Sequence, residues 1–272
     1  SVGPPFFEKA FTPFMIGLGL ILPLGAMMPW KRAKIGRVAR SLVPALVLSL
    51  ALAGLVWAMQ TGRSMMGPVG VFLGAWLVSG AVTDLIARTG RKRDVSRLLR
   101  LPRADWGKAV AHGGLGITMV GIAGLLAWQQ EDIRVAQPGQ PYAVGSYEIE
   151  LVEVTRERGP NYFATRADLI VRQNGQEITR LYPEKRDYPV AQMPTTEAAI
   201  DYRFWRDLYL VVGDAQTDGG WVIRTYVKPL ANWIWVGCLL MAFGGVLSLS
   251  DRRYRVAAGA RKEATPKGVP AE

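Results

Sequence analysis

The sequence is poor in the side chains that most often carry redox and metal chemistry. Among 272 residues there is one cysteine, Cys238, and one histidine, His112. A single thiol excludes a disulfide within the chain, and the sequence has no Cys-x-x-Cys or Cys/His spacing typical of a zinc site or a thiol-exchange enzyme. Because Cys238 falls within an apolar run, we expect it to be a small buried hydrophobic residue in a helix.

The sequence also lacks the features of a secretory signal peptide and of an internally repeated transporter. The first residue is Ser1, and no charged segment precedes an apolar run with a cleavage site. We interpret the chain as a piece of something longer rather than as a processed form. No internal repeat is found, whereas many transporters are built from inverted repeats.

What the sequence does contain is apolar residues gathered into five runs. Half of the residues (50%) are hydrophobic, and the mean hydropathy is +0.13. Each run is close to the roughly 20 residues that a helix needs to cross the hydrocarbon core of a bilayer. Each also ends at charges or at an aromatic side chain that prefers the headgroup layer. The predicted membrane-spanning helices are residues 11–30, 41–59, 67–87, 109–128 and 230–250.

Lysine and arginine are unevenly distributed among the connecting segments. Segments 31–40, 88–108 and 251–272 hold five, eight and six of them, whereas segment 129–228 holds 12 basic and 15 acidic residues. Because basic loops stay on the cytoplasmic side, we predict that these three segments are inside and that the N-terminus and segment 129–228 are outside. Basic residues divided among three short segments favour lipid headgroups, not nucleic acid, as their partners.

The outer segment 129–228 has the patterns of a β domain. Polar and apolar residues alternate along 147–154, and two further strand patterns flank Asn174 and Gly175, a strong hairpin signal. The predicted strands are 147–154, 166–173, 176–182, 207–212 and 221–227. About six strands over ~100 residues are typical of a small sandwich or barrel.

These patterns predict a fold class and an order of domains. The chain is expected to be an integral membrane protein with a five-helix α-helical transmembrane portion. One all-β, sandwich-like or barrel-like domain is inserted between spans four and five. Residues 1–128 hold helices one to four with basic loops 31–40 and 88–108, residues 129–228 the β domain, 229–250 helix five and 251–272 a basic cytoplasmic tail.

Within the outer domain, segment 182–201 is dense in proline and charge. We interpret it as a long loop between strands, which is either a functional loop or a simple solvated connection. If it is functional, the candidates for partner binding are Tyr182, Pro183, Glu184, Lys185, Arg186, Tyr188 and Pro189.

His112 lies about one turn into the fourth span, in a glycine-rich stretch. An ionisable side chain at membrane depth usually faces a bundle interior or a cavity. It could ligate haem iron, form a hydrogen bond across a helix–helix contact or relay protons, and the residues alone leave all three open. The neighbouring Gly113 and Gly116 would admit either another helix or a flat ligand. One histidine supplies one axial ligand, so any second ligand must come from elsewhere.

Asp84 is another ionisable residue embedded in a predicted span. It lies near the inner end of the third span, four residues before Arg88. This spacing predicts an ion pair on one helix face, with the arginine reaching toward the headgroups.

A series of short stretches, taken in order, resembles one known family. They are Leu-Pro-Arg-Ala-Asp-Trp-Gly-Lys at 101–108 leading into His112, Gly-Pro-Asn-Tyr at 159–162, Tyr-Pro-Glu-Lys-Arg at 182–186, Arg-Asp-Leu-Tyr at 206–209, Trp-Ile-Trp at 233–235 and Asp-Arg-Arg-Tyr at 251–254. The series resembles the C-terminal portion of the CcmF/NrfE family of cytochrome c-type biogenesis proteins. The resemblance covers nearly the whole chain.

The resemblance implies a haem-lyase subunit of the bacterial inner membrane, with segment 129–228 in the periplasm. Such a subunit acts in a complex that receives haem from the haem chaperone CcmE. The complex attaches that haem to apocytochrome c, which CcmH-type partners present. His112 matches the family's second transmembrane histidine, so the resemblance implies that it ligates the iron of a b-type haem, with Gly113 and Gly116 packed beside it.

The chain also departs from the pattern of the family. The family's tryptophan-rich haem-handling segment and its outer histidines have no counterpart here, and they belong to the family's N-terminal half. The resemblance therefore implies a C-terminal fragment or a split subunit, whose partner half carries the second axial ligand. By itself the chain is not expected to complete haem attachment. Two other functions stay open: a haem transporter, and a membrane scaffold whose outer domain only docks partner proteins.

Overall fold

Five long helices form the membrane portion of the protein. The structure is a computed structural model that describes residues 4–28, 35–62, 64–90 and 95–251. Within these ranges, five helices are long and apolar enough to cross a membrane, as predicted, which makes this a multi-pass membrane protein. They are α1 (Pro4–Met27), α2 (Ile35–Met59), α3 (Met66–Arg88), α4 (Arg103–Trp128) and α5 (Ala231–Leu249), and a 3₁₀ turn (Val95–Arg100) precedes α4.

Three helices begin well before the apolar runs that predicted them, and the first is α1, which begins at Pro4 rather than at residue 11. Helix α2 begins at Ile35 and α4 at Arg103, each six residues before the predicted span. Long basic side chains can keep their charges in the headgroup layer while the helix continues beneath them, so charge does not end a helix. Parts of both predicted basic loops are therefore helical. Residues 29–34, 63, 91–94 and the tail from 252 lie outside the described residues.

The chain divides into two compact units. One comprises Ser1–Leu55, Val69–Val120 and Trp235–Glu272, and the other comprises Val56–Pro68 and Gly121–Ile234. The first is the helical membrane unit, and the second is the β domain together with the adjoining helix ends.

In the membrane unit, α4 is held against its neighbours through glycine. A Cβ added at Gly114 would lie 2.7 Å from the carbonyl oxygen of Gly237 on α5, and one at Gly116 would lie 2.7 Å from that of Gly74 on α3. Side chains do not fit at these separations, so the backbones of the helices are in direct contact.

The exposure of Cys238 corrects the expectation from the sequence. The residue lies within α5, as predicted, but its side chain is exposed on the protein surface rather than buried. Helix α5 is apolar on every side, and its buried residues are Gly237 and Gly244. A uniformly apolar sequence does not indicate which face meets protein and which meets lipid.

The β domain is a sandwich of two antiparallel sheets, and it has more strands than predicted. Ten are described: β1 (Gln130–Ala136), β2 (Pro141–Val144), β3 (Tyr147–Arg158), β4 (Phe163–Gln173), β5 (Gln176–Leu181), β6 (Glu184–Tyr188), β7 (Met193–Glu197), β8 (Ala199–Arg203), β9 (Arg206–Ala215) and β10 (Trp221–Pro229). One sheet has the order β1-β10-β9-β8 and the other β2-β3-β4-β6-β7, with β5 also paired to β4. All five strands expected from the sequence are present.

The hairpin and the core of the sandwich follow the sequence pattern. Asn174 and Gly175 have φ angles of 52° and 75°, the left-handed conformation that a two-residue hairpin turn requires. Along β3, Tyr147, Ile149 and Leu151 are buried, and they share one core cluster with residues of β9 and β10 in the opposite sheet. The alternation of polar and apolar residues therefore predicted the correct inward face.

Segment 182–201 is not a long loop, which corrects our interpretation. It contains β6, β7 and most of β8. Pro183 separates β5 from β6, and both of these strands pair with β4. Pro194 lies on β7, which pairs only with β6 and so forms a sheet edge, a position that tolerates proline. Proline and charge here mark an edge strand, a signal that we took for a loop.

Candidate functional site

His112 lines a crevice among three helices of the membrane unit. The crevice measures about 230 Å³, and its walls are mostly small or apolar. Its lining residues are Leu22, Pro23 and Ala26 of α1, Leu77, Ala81 and Asp84 of α3, and Ala109 and His112 of α4. The His112 side chain is half-buried. An imidazole is thus held at membrane depth against an apolar wall, as the sequence predicted.

The imidazole of His112 is not engaged by a neighbouring helix. Among residues 4–28, 35–62, 64–90 and 95–251, no hydrogen bond to either ring nitrogen is found. The alternative of a hydrogen bond across a helix–helix contact therefore has no partner in this part of the chain.

A group of charged side chains connects the three helices around the crevice. Lys108, one turn before His112 on α4, places its Nζ 2.6 Å from Oδ2 of Asp84 on α3. The same Nζ donates a hydrogen bond of 2.9 Å to the carbonyl oxygen of Ala26 on α1. The predicted pair of Asp84 with Arg88 is also present, at 3.2 Å, and Arg88 continues to Asp105 at 2.6 Å.

The sequence alone predicted only part of this group of charged side chains. The Asp84–Arg88 pair follows from spacing within one helix, whereas Lys108 lies on another helix and its contact with Asp84 depends on packing. One signal could have suggested it: Lys108 and His112 are four residues apart, so they share a face of α4. The Asp84 carboxylate is 7% exposed, and two cations offset the cost of burying its charge.

The two glycines predicted to lie beside a haem have different surroundings. A Cβ added at Gly113 would meet no atom within 4 Å, whereas one added at Gly116 would meet α3. Gly116 therefore serves helix packing in this structure. Gly113, next to His112 in the chain, leaves open space.

The residues present fit part of a haem site. The space between the atoms of the crevice does not admit even a water molecule, so a haem would not fit within it. The chain can supply one axial ligand and one wall of a haem site. The ligand would be an imidazole with free nitrogens, and the wall would be a glycine that leaves open space among apolar side chains. The opposite wall and the second ligand would come from outside this chain, because His112 is its only histidine.

On the β domain, the candidate partner residues form an aromatic and charged surface. The guanidinium of Arg186 lies 4.5 Å above the Tyr162 ring, which is 5.5 Å from the Tyr188 ring. Arg166 lies 4.5 Å above Tyr182 in the same manner. Hydrogen bonding to Glu184 raises the pKa of Arg186, so its positive charge is permanent.

The remaining candidates on this surface differ in exposure. Pro183 is fully buried, and its carbonyl oxygen accepts a hydrogen bond from the Ala167 backbone, so its side chain is not available to a partner. Pro189 is exposed. Lys185 pairs with Asp214, and this hydrogen bond lowers the pKa of the Asp214 carboxyl.

Comparison with known proteins gives one consistent result. The family model described as the CcmF C-terminal beta-sandwich matches residues 127–229. The cytochrome c-type biogenesis protein Ccl1 of Rhodobacter capsulatus is 61% identical over 272 residues, covering 100% of this chain and 41% of that protein. The cytochrome c-type biogenesis protein CycK of Bradyrhizobium diazoefficiens is 39% identical over 277 residues, covering 100% and 42%.

A solved structure shows that the fold is shared as well. The cytochrome c haem lyase CcmF matches with a TM-score of 0.71 and 24% sequence identity, covering 91% of this chain and 41% of that one. The chain corresponds to the C-terminal portion of CcmF proteins, as the sequence motifs indicated, and it spans about two fifths of the length of the relatives it matches.

One surface of this chain was missed by sequence reasoning. Phe204 and Trp205 form the two-residue turn between β8 and β9, and both rings are exposed. They pack with Trp233 in the first turn of α5, at ring-centroid distances of 5.5 and 5.4 Å. The sequence indicated Trp233 as an interfacial residue but gave no reason to join it to a strand turn about 30 residues earlier.

Proposed function

We propose that this chain acts in cytochrome c biogenesis as part of a haem-lyase complex of the bacterial inner membrane. It supplies one axial ligand of a transmembrane haem b and a periplasmic docking domain. The observation that carries the proposal is the His112 imidazole, half-buried at membrane depth with both nitrogens free of described hydrogen bonds. The match of the whole chain to proteins named for cytochrome c-type biogenesis supports it.

Each group around His112 has a part in this proposal. His112 would hold the haem iron, and the Lys108–Asp84 pair would fix the position of α4 against α3. The apolar walls exclude water from this level of the bundle. When bound, the haem would supply one-electron redox chemistry, suited to reducing the iron of an incoming haem. The second axial ligand would come from the part of the protein that this chain does not cover.

The β domain would work on the outer face of the membrane. The distribution of basic residues supports a periplasmic β domain and a cytoplasmic C-terminus. The proposed partners are the haem chaperone CcmE, CcmH-type subunits that present the substrate, and apocytochrome c. Tyr162, Arg186 and Tyr188 offer a surface of rings and fixed positive charge suited to such contacts.

The test is a reduced-minus-oxidised spectrum of the chain co-expressed with the uncovered part of the Rhodobacter capsulatus relative. We expect His112→Ala to remove the b-type haem band. Gly113→Ala should also weaken the band, because this chain leaves room for the added methyl group and a haem bound at His112 would meet it. Gly245→Ala on α5 is the matched control, since a Cβ there also meets nothing within 4 Å.

The outcome that contradicts the proposal is equally definite. If His112→Ala left the haem band and cytochrome c maturation intact, the ligand assignment would be wrong. A scaffold function is the second candidate, and the surface around Arg186 favours it. Partner capture that is lost with Arg186→Ala but unaffected by His112→Ala, with no haem bound at all, would support the scaffold instead.

A further inference from the structure

The turn between β8 and β9 lies at the end of the sandwich from which the membrane helices leave. Arg206 at the start of β9 is paired with Pro229 at the end of β10, two residues before α5 begins. At the same end, Gln130 of β1, which follows α4, is paired with Val227. The strand register therefore places Phe204 and Trp205 beside the two points where the chain meets the membrane.

The backbone carbonyl groups of this turn accept hydrogen bonds from the start of α5. The carbonyl oxygen of Arg203 accepts a hydrogen bond of 2.9 Å from the Asn232 side chain. That of Phe204 accepts one of 3.0 Å from the Trp233 indole, and that of Trp205 one of 2.9 Å from the Leu230 backbone. Three successive carbonyl groups are thus satisfied by the protein. A turn can enter a poorly hydrated layer only when its backbone groups are satisfied in this way.

The side chains of the turn have the chemistry of a membrane interface. Tyr202, Phe204 and Trp205 are 66%, 57% and 64% exposed, although all three are large aromatic residues. Rings with one polar atom concentrate in the headgroup layer of a bilayer, and Trp233 is already there as part of the first turn of a spanning helix. The Arg203 side chain is also exposed, and its charge is partly offset by the Asp201 carboxylate, whose Oδ2 lies 3.0 Å from the Arg203 Nε.

We propose that the β8–β9 turn is a membrane anchor, which inserts the Phe204 and Trp205 rings into the headgroup layer of the outer leaflet. Its ligand is the lipid surface, and no haem is required. The anchor fixes the end of the sandwich at the bilayer surface through a contact separate from the α4 and α5 connections. It thereby limits the tilt of the β domain over the membrane.

The experiment measures the depth of the turn in the 272-residue chain, reconstituted in nanodiscs of phosphatidylcholine and phosphatidylglycerol. In a Cys238→Ala background, Trp205→Cys receives an environment-sensitive fluorophore. Thr217→Cys, in the turn at the opposite end of β9, receives the same label as the control. The two positions are separated by roughly 30 Å along the strand. Substitution at Trp205 leaves its backbone carbonyl bond in place.

Lipids that carry a nitroxide near the headgroup should quench the label at position 205 several-fold more than the label at position 217. Equal quenching at the two positions would overturn the anchor and favour a protein partner on these rings.

A second measurement avoids any bulky label. In brominated lipid, Trp205→Phe should reduce the quenchable part of the tryptophan emission, and Trp221→Phe, at the far end of the same sheet, should not. An unchanged quenchable part in Trp205→Phe would overturn the proposal as well.

Discussion

The ion pair between Lys108 and Asp84 offers a quantitative test of how α4 is held. The perturbations are Lys108→Met, which keeps most of the aliphatic chain, and Asp84→Asn, which keeps the shape of the carboxylate. Removing one member of a buried pair costs about 3–5 kcal/mol, because the other charge is left without its partner.

The local structure reduces the cost for this pair to a value below that range. The Lys108 side chain is 26% exposed, so water screens it in part. Asp84 keeps Arg88 at 3.2 Å after Lys108→Met, and Lys108 keeps the Ala26 carbonyl after Asp84→Asn. We therefore expect each single substitution to cost about 2–3 kcal/mol. The double variant should cost less than the sum by about 1–2 kcal/mol, since removing both charges leaves neither unpaired.

The assay is unfolding of the purified chain in mixed micelles with increasing dodecyl sulfate, followed by helical circular dichroism. Arg103→Met is the matched control: it removes an exposed charge from the same helix and should cost less than about 0.5 kcal/mol. If the two single substitutions added to the double within about 0.5 kcal/mol, the charges would be uncoupled. The proposed fastening of α4 to α3 by this pair would then be refuted.

Three further predictions concern helix ends, helix contacts and pH. Asp251→Ala removes the carboxylate that accepts a 3.1 Å hydrogen bond from the first turn of α4, and should cost about 1 kcal/mol in the same unfolding assay. Gly237→Ala places a Cβ 2.5 Å from the carbonyl oxygen of Gly114 and should cost about 1–3 kcal/mol, whereas Gly245→Ala should not. Burial raises the pKa of the Asp207 carboxyl above its ordinary value of 3.8. The protonated carboxyl therefore stabilises the folded protein fully below pH 3.8, and this stabilisation is lost as the pH rises through the raised pKa. Asp207→Asn should flatten that decline in thermal unfolding of the β domain, and an unaltered pH profile would contradict the assignment.

The parts of the fold that the sequence predicted are those set by local rules. Five helices followed from the length of apolar runs, because the thickness of a bilayer fixes how many apolar residues a span needs. The Asn174–Gly175 hairpin and the inward face of β3 followed from turn chemistry and from the two-residue period of a strand. His112 was recognised because an ionisable group at membrane depth is costly.

The parts that the sequence did not predict depend on contacts between distant residues. Strands β6 to β8 lie in a segment rich in proline and charge, and only the pairing of β6 with β4, of β7 with β6 and of β8 with β9 shows that they are strands. The exposure of Cys238 depends on which face of a uniformly apolar helix meets α4. The Lys108–Asp84 pair and the bonding of the β8–β9 turn to α5 likewise appear only once the helices and sheets are packed.

The central claim is that His112 ligates haem iron, and replacing the imidazole tests it most directly. In the chain co-expressed with the uncovered part of a CcmF relative, His112→Gly should lose the b-type haem band, and added imidazole should restore it by occupying the vacated position. Retention of the full band in His112→Gly without imidazole would show that the iron takes its ligand elsewhere, and the account of the membrane site would be wrong.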